Sequence, residues 1–337
     1  MLPLLVAILG LSVLGAVSLG SSRIPVPRVA GILWNGIAGG GGGDGAWSAG
    51  EEAIVLMIRL PRVLLAGLVG AALATSGVIL QGLFRNPLAD PFTIGVSSGA
   101  AVGAVAAIAV GLPHRLGGGW VIPVAAFAGA LIAAVAVYAL ASIGGRVPVL
   151  VLLLSGVVVS SFLSAIISFI LTVTGESLRQ ALFWMMGSLG TIGWRFVPLL
   201  TPYVLLGGAV GIGLARQINA LVMGEETAAS LGVDVERLKR VILATASLLT
   251  GAAVAVSGMI GFVGLIVPHS LRLLLGPDHR LLIPASFLGG GIFLIWVDVA
   301  ARIAVPPSEV PVGVVTALLG APFFFYLLRR RRKEFMF

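Results

Sequence analysis

The chain has 337 residues, of which 58% are hydrophobic and 10% charged, with a net charge of +8 and a mean hydropathy of +1.13. Soluble domains carry about 25% charged residues, so this composition excludes a soluble, disordered or fibrous protein. The continuous apolar runs exclude a membrane β-barrel, and the absence of cysteine excludes disulfides and thiolate metal sites.

Apolar runs that are long enough for membrane helices recur along the chain. A spanning helix needs about 20 apolar residues, so we expect an all-α polytopic membrane protein of about ten transmembrane helices, with residues 1–337 forming one domain. The first run lacks the basic start of a signal peptide, which favours a retained helix. The runs lie at 2–20, 60–82, 92–111, 120–142, 148–172, 195–215, 239–260, 261–275, 281–304 and 311–328.

The connections between the runs are polar. Residues 21–53, which include the tract Gly39–Gly43, are predicted to form a loop with a short helix near Trp47. Ten spans place both termini on one side, and most of the 21 Lys and Arg residues then fall on that side. Basic residues concentrate in cytoplasmic loops, so both termini are expected in the cytoplasm. The net charge is explained in this way, and no nucleic-acid partner is expected.

Two segments of the chain are similar to each other. Gly70–Ile79 and Gly251–Ile260 match at seven of ten positions with an offset of 181, and Pro87 and Pro268 keep that offset. The two segments lie five crossings apart, which would make the repeat inverted, as in many transporters. The alternative is a chance match between segments of common small residues.

Residues 81–91 interrupt two apolar runs. Pro87 and Pro91 end helices, and Asn86 and Asp90 favour turns. Non-helical backbone at membrane depth must be buried in protein or line a cavity. A constriction in a pathway and a simple surface turn both remain open.

Four hydroxyl residues recur every fourth position in the fifth run, and they are Ser160, Ser164, Ser168 and Thr172. This spacing puts them on one helix face. The stripe can line a polar pathway. Alternatively, each hydroxyl bonds the carbonyl four residues earlier and serves only packing.

The longest polar segment of the membrane region is 216–240. Gly224–Gly232 is predicted to form a short helix with Glu225 and Glu226 in its first turn, and a second short helix is predicted from Asp234. Two short amphipathic helices on the cytoplasmic side need a partner or the membrane surface. An ordinary solvated loop is the alternative.

Three arginines lie at the outer ends of predicted spans, namely Arg59, Arg62 and Arg302. Arginine at such a position can extend its charge to the interface or pair with the acids of an external partner. Asp298 lies four residues before Arg302, so an ion pair within one helix is the alternative.

The chain shows no catalytic or metal-binding pattern. His114, His269 and His279 lack ligand spacing, and no Walker A or nucleophile motif is present. Acids are almost absent from the spans, which argues against an ion-coupled carrier and for an external energy source. An ion-coupled secondary transporter, an intramembrane enzyme and a structural membrane subunit remain as rival hypotheses.

A series of motifs runs in order from about residue 55 to the end of the chain. The motifs are Arg59–Arg62, Gly70–Gly77, Arg85–Pro91, Gly95–Ala100, Phe183–Gly190, Gly224–Gly232, Gly261–His269, Asp278–Arg280 and Glu309–Pro322. Together they resemble the permease subunits of type II ABC importers, the FecCD-like group, which includes cobalamin, haem and ferric-siderophore permeases.

The resemblance implies an architecture and a function. It implies a homodimer in the inner membrane with a central pathway, two separate ATPase subunits that bind the ATP, and an extracytoplasmic substrate-binding protein. The chain itself would hold no cofactor and no catalytic residue. It would move a metal chelate, namely a ferric siderophore, haem or cobalamin, into the cytoplasm by alternating access, with an ion-coupled secondary transporter as the alternative.

The resemblance also implies roles for single residues. Arg59, Arg62 and Arg302 would pair with acids of the binding protein, and Asn86 and Leu88 would form a cytoplasmic gate. Ser177–Gly190 resembles a short outer helix near the pathway mouth. The helix that couples to the ATPase would comprise Gly224, Glu225, Glu226, Ala228, Ser230, Leu231 and Gly232.

Overall fold

The computed structural model describes residues 1–20, 23–38, 47–117, 119–175, 177–190 and 193–330. The tract Gly39–Gly43 therefore lies outside the described residues. Helices dominate the described parts, which contain only two isolated β-bridges. The helices are α1 (Leu2–Ser18), α2 (Val26–Ala38), α3 (Ala49–Ala53), α4 (Leu60–Leu83), α5 (Val96–Ala109), α6 (Leu112–Leu116), α7 (Val121–Ala141), α8 (Val149–Val173), α9 (Leu178–Met185), α10 (Val197–Val222), α11 (Glu225–Ser230), α12 (Val235–Ser257), α13 (Val263–Leu275), α14 (His279–Ile303) and α15 (Val312–Arg330).

Many of these helices suit a bilayer. Six are long and apolar enough to cross a membrane: the continuous helix Ala49–Leu83, in which a π-helical stretch joins α3 to α4, and α7, α8, α10, α12 and α14. Four shorter apolar helices, α1, α5, α13 and α15, coincide with the remaining predicted runs. An all-helical membrane protein with at least six apolar spans is thus confirmed.

Helix α4 is the centre of the bundle. It is buried almost throughout and packs against α1, α10, α12, α13 and α14. The backbones of α4 and α14 meet at Gly70 and Gly290, where a β-carbon on either glycine would lie 2.1–2.3 Å from the carbonyl oxygen of the other. Only glycine permits this approach, which explains why small residues crowd these apolar segments.

A second group of helices flanks this centre. Helices α5, α7 and α8 pack together, and α12 joins them to α4 and α10. Gly99 of α5 and Gly129 of α7 make the same kind of backbone contact as the α4–α14 pair. Helices α7, α8 and α10 keep broad exposed apolar faces, such as Leu154 and Phe162 on α8, and these faces need lipid or another protein.

The prediction of a polar loop over residues 21–53 was wrong. Helix α2 occupies part of the segment, and its apolar residues Val29 and Ile32 enter the core. The short helix expected near Trp47 is α3. Ser48 caps it, because its Oγ accepts from Glu51 N at 3.1 Å while Glu51 Oε2 accepts from Ser48 N at 2.9 Å.

The prediction of a second short helix from Asp234 was also wrong in its length. Asp234 does cap a helix, since its Oδ1 accepts from Arg237 N at 3.0 Å. That helix, α12, nevertheless continues to Ser257. Its polar first turns lead directly into an apolar stretch that packs on α4, so no break occurs.

The two similar segments differ in local structure. Gly70–Ile79 lies wholly inside α4, whereas α12 ends at Ser257, so the last residues of Gly251–Ile260 are not helical. The helices that carry the segments do touch, because Ser76 Oγ lies 2.8 Å from Thr250 Oγ1. The contact alone leaves the internal repeat a prediction.

Candidate functional sites at the two ends of the bundle

Helix α4 separates two polar regions. Its 24 residues extend about 36 Å at 1.5 Å per residue, with Arg62 near its beginning and Gln81 near its end. Around Gln81 lie the end of α10 and the beginning of α14, because Gly82 lies against Ile218 and His279. We call these regions the Arg62 end and the Gln81 end.

At the Arg62 end, one buried acid holds two arginines. Arg62 Nε donates to Asp298 Oδ1 at 3.0 Å, and Arg302 Nε lies 3.1 Å from Asp298 Oδ2. The Asp298 side chain is fully buried. The ion pair expected as an alternative within α14 is therefore present, and it is shared with Arg62 of another helix.

Arg59 and Arg302 also bind the free carbonyl groups at the end of α1. Arg59 Nη1 donates to the carbonyls of Val17 and Ser18 at 3.0 and 3.2 Å, and Arg302 donates to those of Ala16 and Leu19. The last carbonyls of a helix have no partner within it and carry partial negative charge. Cationic donors at this position therefore stabilise the end of α1 inside the protein.

The exposure of these side chains bears on their predicted docking role. Arg59, Arg62 and Arg302 are only 5%, 9% and 9% exposed. The accessible charge beside them is Glu309, whose side chain is 47% exposed and lies 2.8 Å from Arg62 Nη1. Glu309 is therefore the member of this cluster that solvent reaches most easily, and the predicted docking role of the three arginines stays a prediction.

The segment after α9 belongs to the same end. Helix α9 confirms that a short helix follows α8, within the predicted range Ser177–Gly190. A β-carbon on Gly190 would lie 3.4 Å from Glu309 Oε2 and 3.5 Å from Arg62 Nη1. Gly190 therefore lies directly beside the ion pair of Arg62 and Glu309.

At the Gln81 end, Asn86 and Leu88 form a tight turn. Asn86 Oδ1 accepts from Leu88 N at 2.9 Å, and Arg85 before it has a left-handed backbone with φ 48°. Asn86 is exposed and Leu88 half-buried. The turn borders a cavity of about 470 Å³ that is also lined by Gln81 and Arg272, so it fits the predicted gate in position, while its role stays a prediction.

Asp90 follows this turn and begins a short 3₁₀ helix, Pro91–Ile94. Its Oδ1 accepts from Phe92 N at 2.8 Å, which lowers the pKa of the carboxyl. Burial has the larger effect and raises that pKa to about 6. No ion pair of Asp90 is found among the described residues.

Helix α11 occupies the predicted position of the coupling helix. Gly224 precedes it with φ 125°, and a Schellman motif ends it, because Val233 N donates to Ala228 O and Gly232 N to Ala229 O. Ala228 is buried and anchors the helix, whereas Leu231 is 66% exposed. The segment is thus a defined helix with an outward apolar side chain, and the solvated-loop alternative is wrong for it.

The hydroxyl stripe on α8 divides into two parts. Ser160 is half-buried and faces Gly95, whereas Ser164, Ser168 and Thr172 are exposed. Ser168 Oγ and Thr172 Oγ1 donate to the carbonyls four residues earlier, at 3.0 and 2.8 Å. The hydroxyls of Ser168 and Thr172 therefore have partners within the helix. Together with Ser164 they form a strip of small residues on the exposed face of α8.

A sequence model of the FecCD transport family matches residues 5–330. The chain belongs to the FecCD transport family. It is 54% identical over 280 residues to the cobalamin import system permease protein BtuC of Halobacterium salinarum, which covers 83% of this chain and 74% of that protein. It is 41% identical over 337 residues to the hemin transport system permease protein HmuU of Yersinia pestis, with coverage of 99% and 96%.

The fold has a solved counterpart as well. A structure described as an inward-facing conformation of a metal-chelate type ABC transporter aligns with a TM-score of 0.82 and 31% identity, over 97% of this chain and 98% of that one. The resemblance to the FecCD-like group is thereby confirmed. Family membership assigns no role to single residues, so the roles of Arg59, Asn86 and Leu231 stay predictions.

Proposed function

We propose that this chain is the transmembrane permease subunit of an ATP-driven importer for a metal chelate. The match to the FecCD family over residues 5–330 carries the proposal. Relatives named as permeases for cobalamin and hemin support a large chelate as the substrate class. The choice among ferric siderophore, haem and cobalamin requires transport measurements.

The proposed topology has ten crossings with both termini in the cytoplasm of an inner-membrane protein. Six long helices and four shorter apolar helices support the number. The Gln81 end is then cytoplasmic and the Arg62 end external. In this topology α4 and α12 cross in opposite directions, as an inverted repeat requires.

Two copies of the chain are proposed to enclose the pathway. Helix α8 supports this, because most of its length is exposed on the single chain. A strip of Ser164, Ser168 and Thr172 between exposed apolar residues offers weak contacts to a bulky substrate, which can therefore leave again. Closure of Asn86 and Leu88 at the cytoplasmic end would complete an alternating-access cycle.

The energy is proposed to come from two ATPase subunits bound to α11. The support is a helix closed by a Schellman motif that presents Leu231 at the cytoplasmic end, where Met223 just before the helix is exposed as well. Exposed apolar side chains beside charged ones are typical of a protein contact. ATP would be bound and hydrolysed by those subunits and not by this chain.

The external partner is proposed to be a substrate-binding protein that docks on the Arg62 end. An acid of that protein reaches Arg62 only by displacing Glu309, the accessible half of their ion pair. Arg59 and Arg302 would contribute positive potential while they stay bound to α1.

Uptake into vesicles tests the proposal. The chain, its ATPase and its binding protein are reconstituted, and uptake of cobalamin, haem and a ferric siderophore is measured with ATP, without ATP and with an ATPase lacking its catalytic glutamate. We expect uptake of one chelate class only with ATP and the intact ATPase. Uptake by the chain alone under a proton or sodium gradient would contradict the proposal and favour the secondary transporter.

A further inference from the structure

One lysine is buried at the Gln81 end. Lys239 lies in the second turn of α12 and is only 2% exposed. A lysine is rarely buried this deeply unless its charge is paired and its three donors are used. No local pattern singles this lysine out, because it stands in a run of charged residues that predicts a solvated helix face.

The ammonium group of Lys239 joins three parts of the chain. Its Nζ donates to Glu225 Oε2 of α11 at 2.7 Å, to Glu236 Oε1 of its own helix at 3.0 Å, and to Val147 O at 3.0 Å. All three donors therefore have acceptors. Glu236 Oε2 in turn accepts from Val147 N at 2.9 Å, so both polar backbone atoms of Val147 are held by α12.

Val147 belongs to the short turn between α7 and α8. Ile143 N donates to Arg146 O at 2.9 Å and Arg146 N to Ile143 O at 3.1 Å, with Gly144 and Gly145 at φ 57° and 81°. Such a turn is rigid, because two hydrogen bonds close it and only glycines take its two central positions easily. Helix α8 begins two residues after Val147, so a displacement of the turn displaces α8.

We propose that Lys239 is the positioning residue that makes α11 and the start of α8 move together. The inference rests on the proposed function, in which α11 is the ATPase contact and α8 lines the pathway. A displacement of α11 reaches Val147 O through Glu225 and the ammonium group of Lys239 at the start of α12. The path consists of two polar contacts of Lys239 Nζ, at 2.7 Å to Glu225 and 3.0 Å to Val147 O, and Glu236 of the same helix holds Lys239 at 3.0 Å.

A substitution that removes the charge of Lys239 and keeps the length of its side chain tests the link between α11 and α8. In the reconstituted transporter, Lys239→Met is expected to keep the ATPase subunits bound and hydrolysing, while uptake per ATP falls about fivefold or more, the scale of a lost coupling between two sites. Wild-type uptake per ATP in Lys239→Met would overturn the inference. A wild-type chain without any ATP-driven uptake would instead contradict the proposed function.

Arg240→Met is the matched control. Arg240 is the next residue and is exposed, and among the described residues its guanidinium makes one long contact, from Nε to Glu236 O at 3.4 Å. It lies outside α11 and contacts neither Glu225 nor Val147. Uptake per ATP is expected to stay within about twofold of wild type, as for a surface substitution. An equal loss of uptake per ATP in both variants would assign the effect to the loss of one positive charge at this end and would contradict the role of Lys239.

A distance measurement separates positioning from mere stability. The chain has no cysteine, so spin labels can be placed at Ala229→Cys on α11 and Ile143→Cys in the turn, both exposed. The wild-type background should give one narrow distance distribution, and Lys239→Met a broader one. Glu225→Gln, which loses only the ionic link to α11, should broaden it too. Unchanged distributions in both variants would overturn the inference even if Lys239→Met unfolds more readily.

Discussion

The two ends of the bundle hold buried charges in different ways. At the Arg62 end, a fully buried Asp298 sits between two arginines from different helices, and the nearest accessible group is Glu309. At the Gln81 end, a buried Lys239 sits between two acids, whose side chains are 37% and 29% exposed. In the first cluster the shared acid is inaccessible to water, whereas in the second the two acids that surround the lysine are partly exposed.

This difference has a mechanical meaning. Removing a partner from a fully buried cluster leaves an uncompensated charge that water cannot reach. Removing Lys239 from its cluster leaves two acids that water can solvate. The Arg62 cluster therefore suits a fixed joint between α1, α4 and α14, and the Lys239 cluster suits a link whose acids stay solvated while α11 and the start of α8 move together.

The largest effect is expected for Asp298→Asn. The variant keeps the size of the side chain but leaves Arg62 and Arg302 without the buried charge between them. Breaking a buried ion pair in this way costs about 3–5 kcal/mol. Thermal unfolding in detergent, with folded yield as a second measure, should show a strongly destabilised protein.

Asp278→Asn at the other end is the control. Asp278 pairs with Arg280 at 2.6 Å, but the two side chains are 40% and 63% exposed. Such pairs contribute about 1 kcal/mol or less, and asparagine still caps α14. Equal losses of stability in the two variants would show that burial does not distinguish the ends.

These clusters also show how far the sequence predicts the molecule. The span positions follow from apolar runs, and α11 follows from Gly224, its acidic first turn and Gly232, because both signals are local. Asp298 with Arg302 was visible as an i,i+4 pair. Its second partner, Arg62, lies 236 residues away, and no local pattern records such a contact.

The same limit applies to Lys239 and to residues 21–53. The contacts of Lys239 with Glu225 and Val147 depend on where α11 and the α7–α8 turn fold, so its burial has no signature in a run of charges. Helix α2 was missed because its polar flanks dominate the composition, although Val29 and Ile32 are spaced for one buried face.

A moderate effect is expected for Asp90→Asn, because Asp90 is partly buried and forms no ion pair within the part of the chain that the structure describes. The pKa of Asp90 is about 6 in the folded protein, compared with the ordinary value of 3.8. Between these two values the unfolded chain loses the proton while the folded protein keeps it, so the free energy of unfolding falls as the pH rises from about 4 to about 6 and stays lower above pH 6. Asparagine still accepts from Phe92 N and carries no charge. We expect the variant to be more stable than wild type at pH 7.5 by about 1–2 kcal/mol.

The pH dependence itself is the check on Asp90. Unfolding at pH 4.5 and 7.5 should show a much larger gain for Asp90→Asn at the higher pH, since the folded wild-type carboxyl is still neutral at pH 4.5 and is ionised at pH 7.5. A gain of the same size at both values would mean that the effect comes from packing, and a loss at pH 7.5 would mean that the charged form is stabilised.

The smallest effect on stability is expected for Glu309→Gln. Its ion pair with Arg62 is half-exposed, so the free energy of unfolding should change by less than about 1 kcal/mol. The variant should have a clear effect on the affinity for the binding protein. It leaves Arg62 without its accessible acid, so an acid of the docking partner can pair with Arg62 without displacing Glu309. Affinity for the binding protein, measured in nanodiscs at two salt concentrations, should rise about threefold or more.

Glu51→Gln gives the matched comparison for this last variant. Glu51 is a partly exposed acid in an ion pair with Arg28 at 2.9 Å, and glutamine preserves its cap on α3. Each variant removes one negative charge: Glu51 lies in α3, just before α4, and Glu309 follows α14. Only Glu309→Gln removes the acid that pairs with Arg62. Equal gains in affinity would therefore assign the effect to overall charge, whereas a gain confined to Glu309→Gln would make Glu309 the acid that holds the place of the partner's carboxylate.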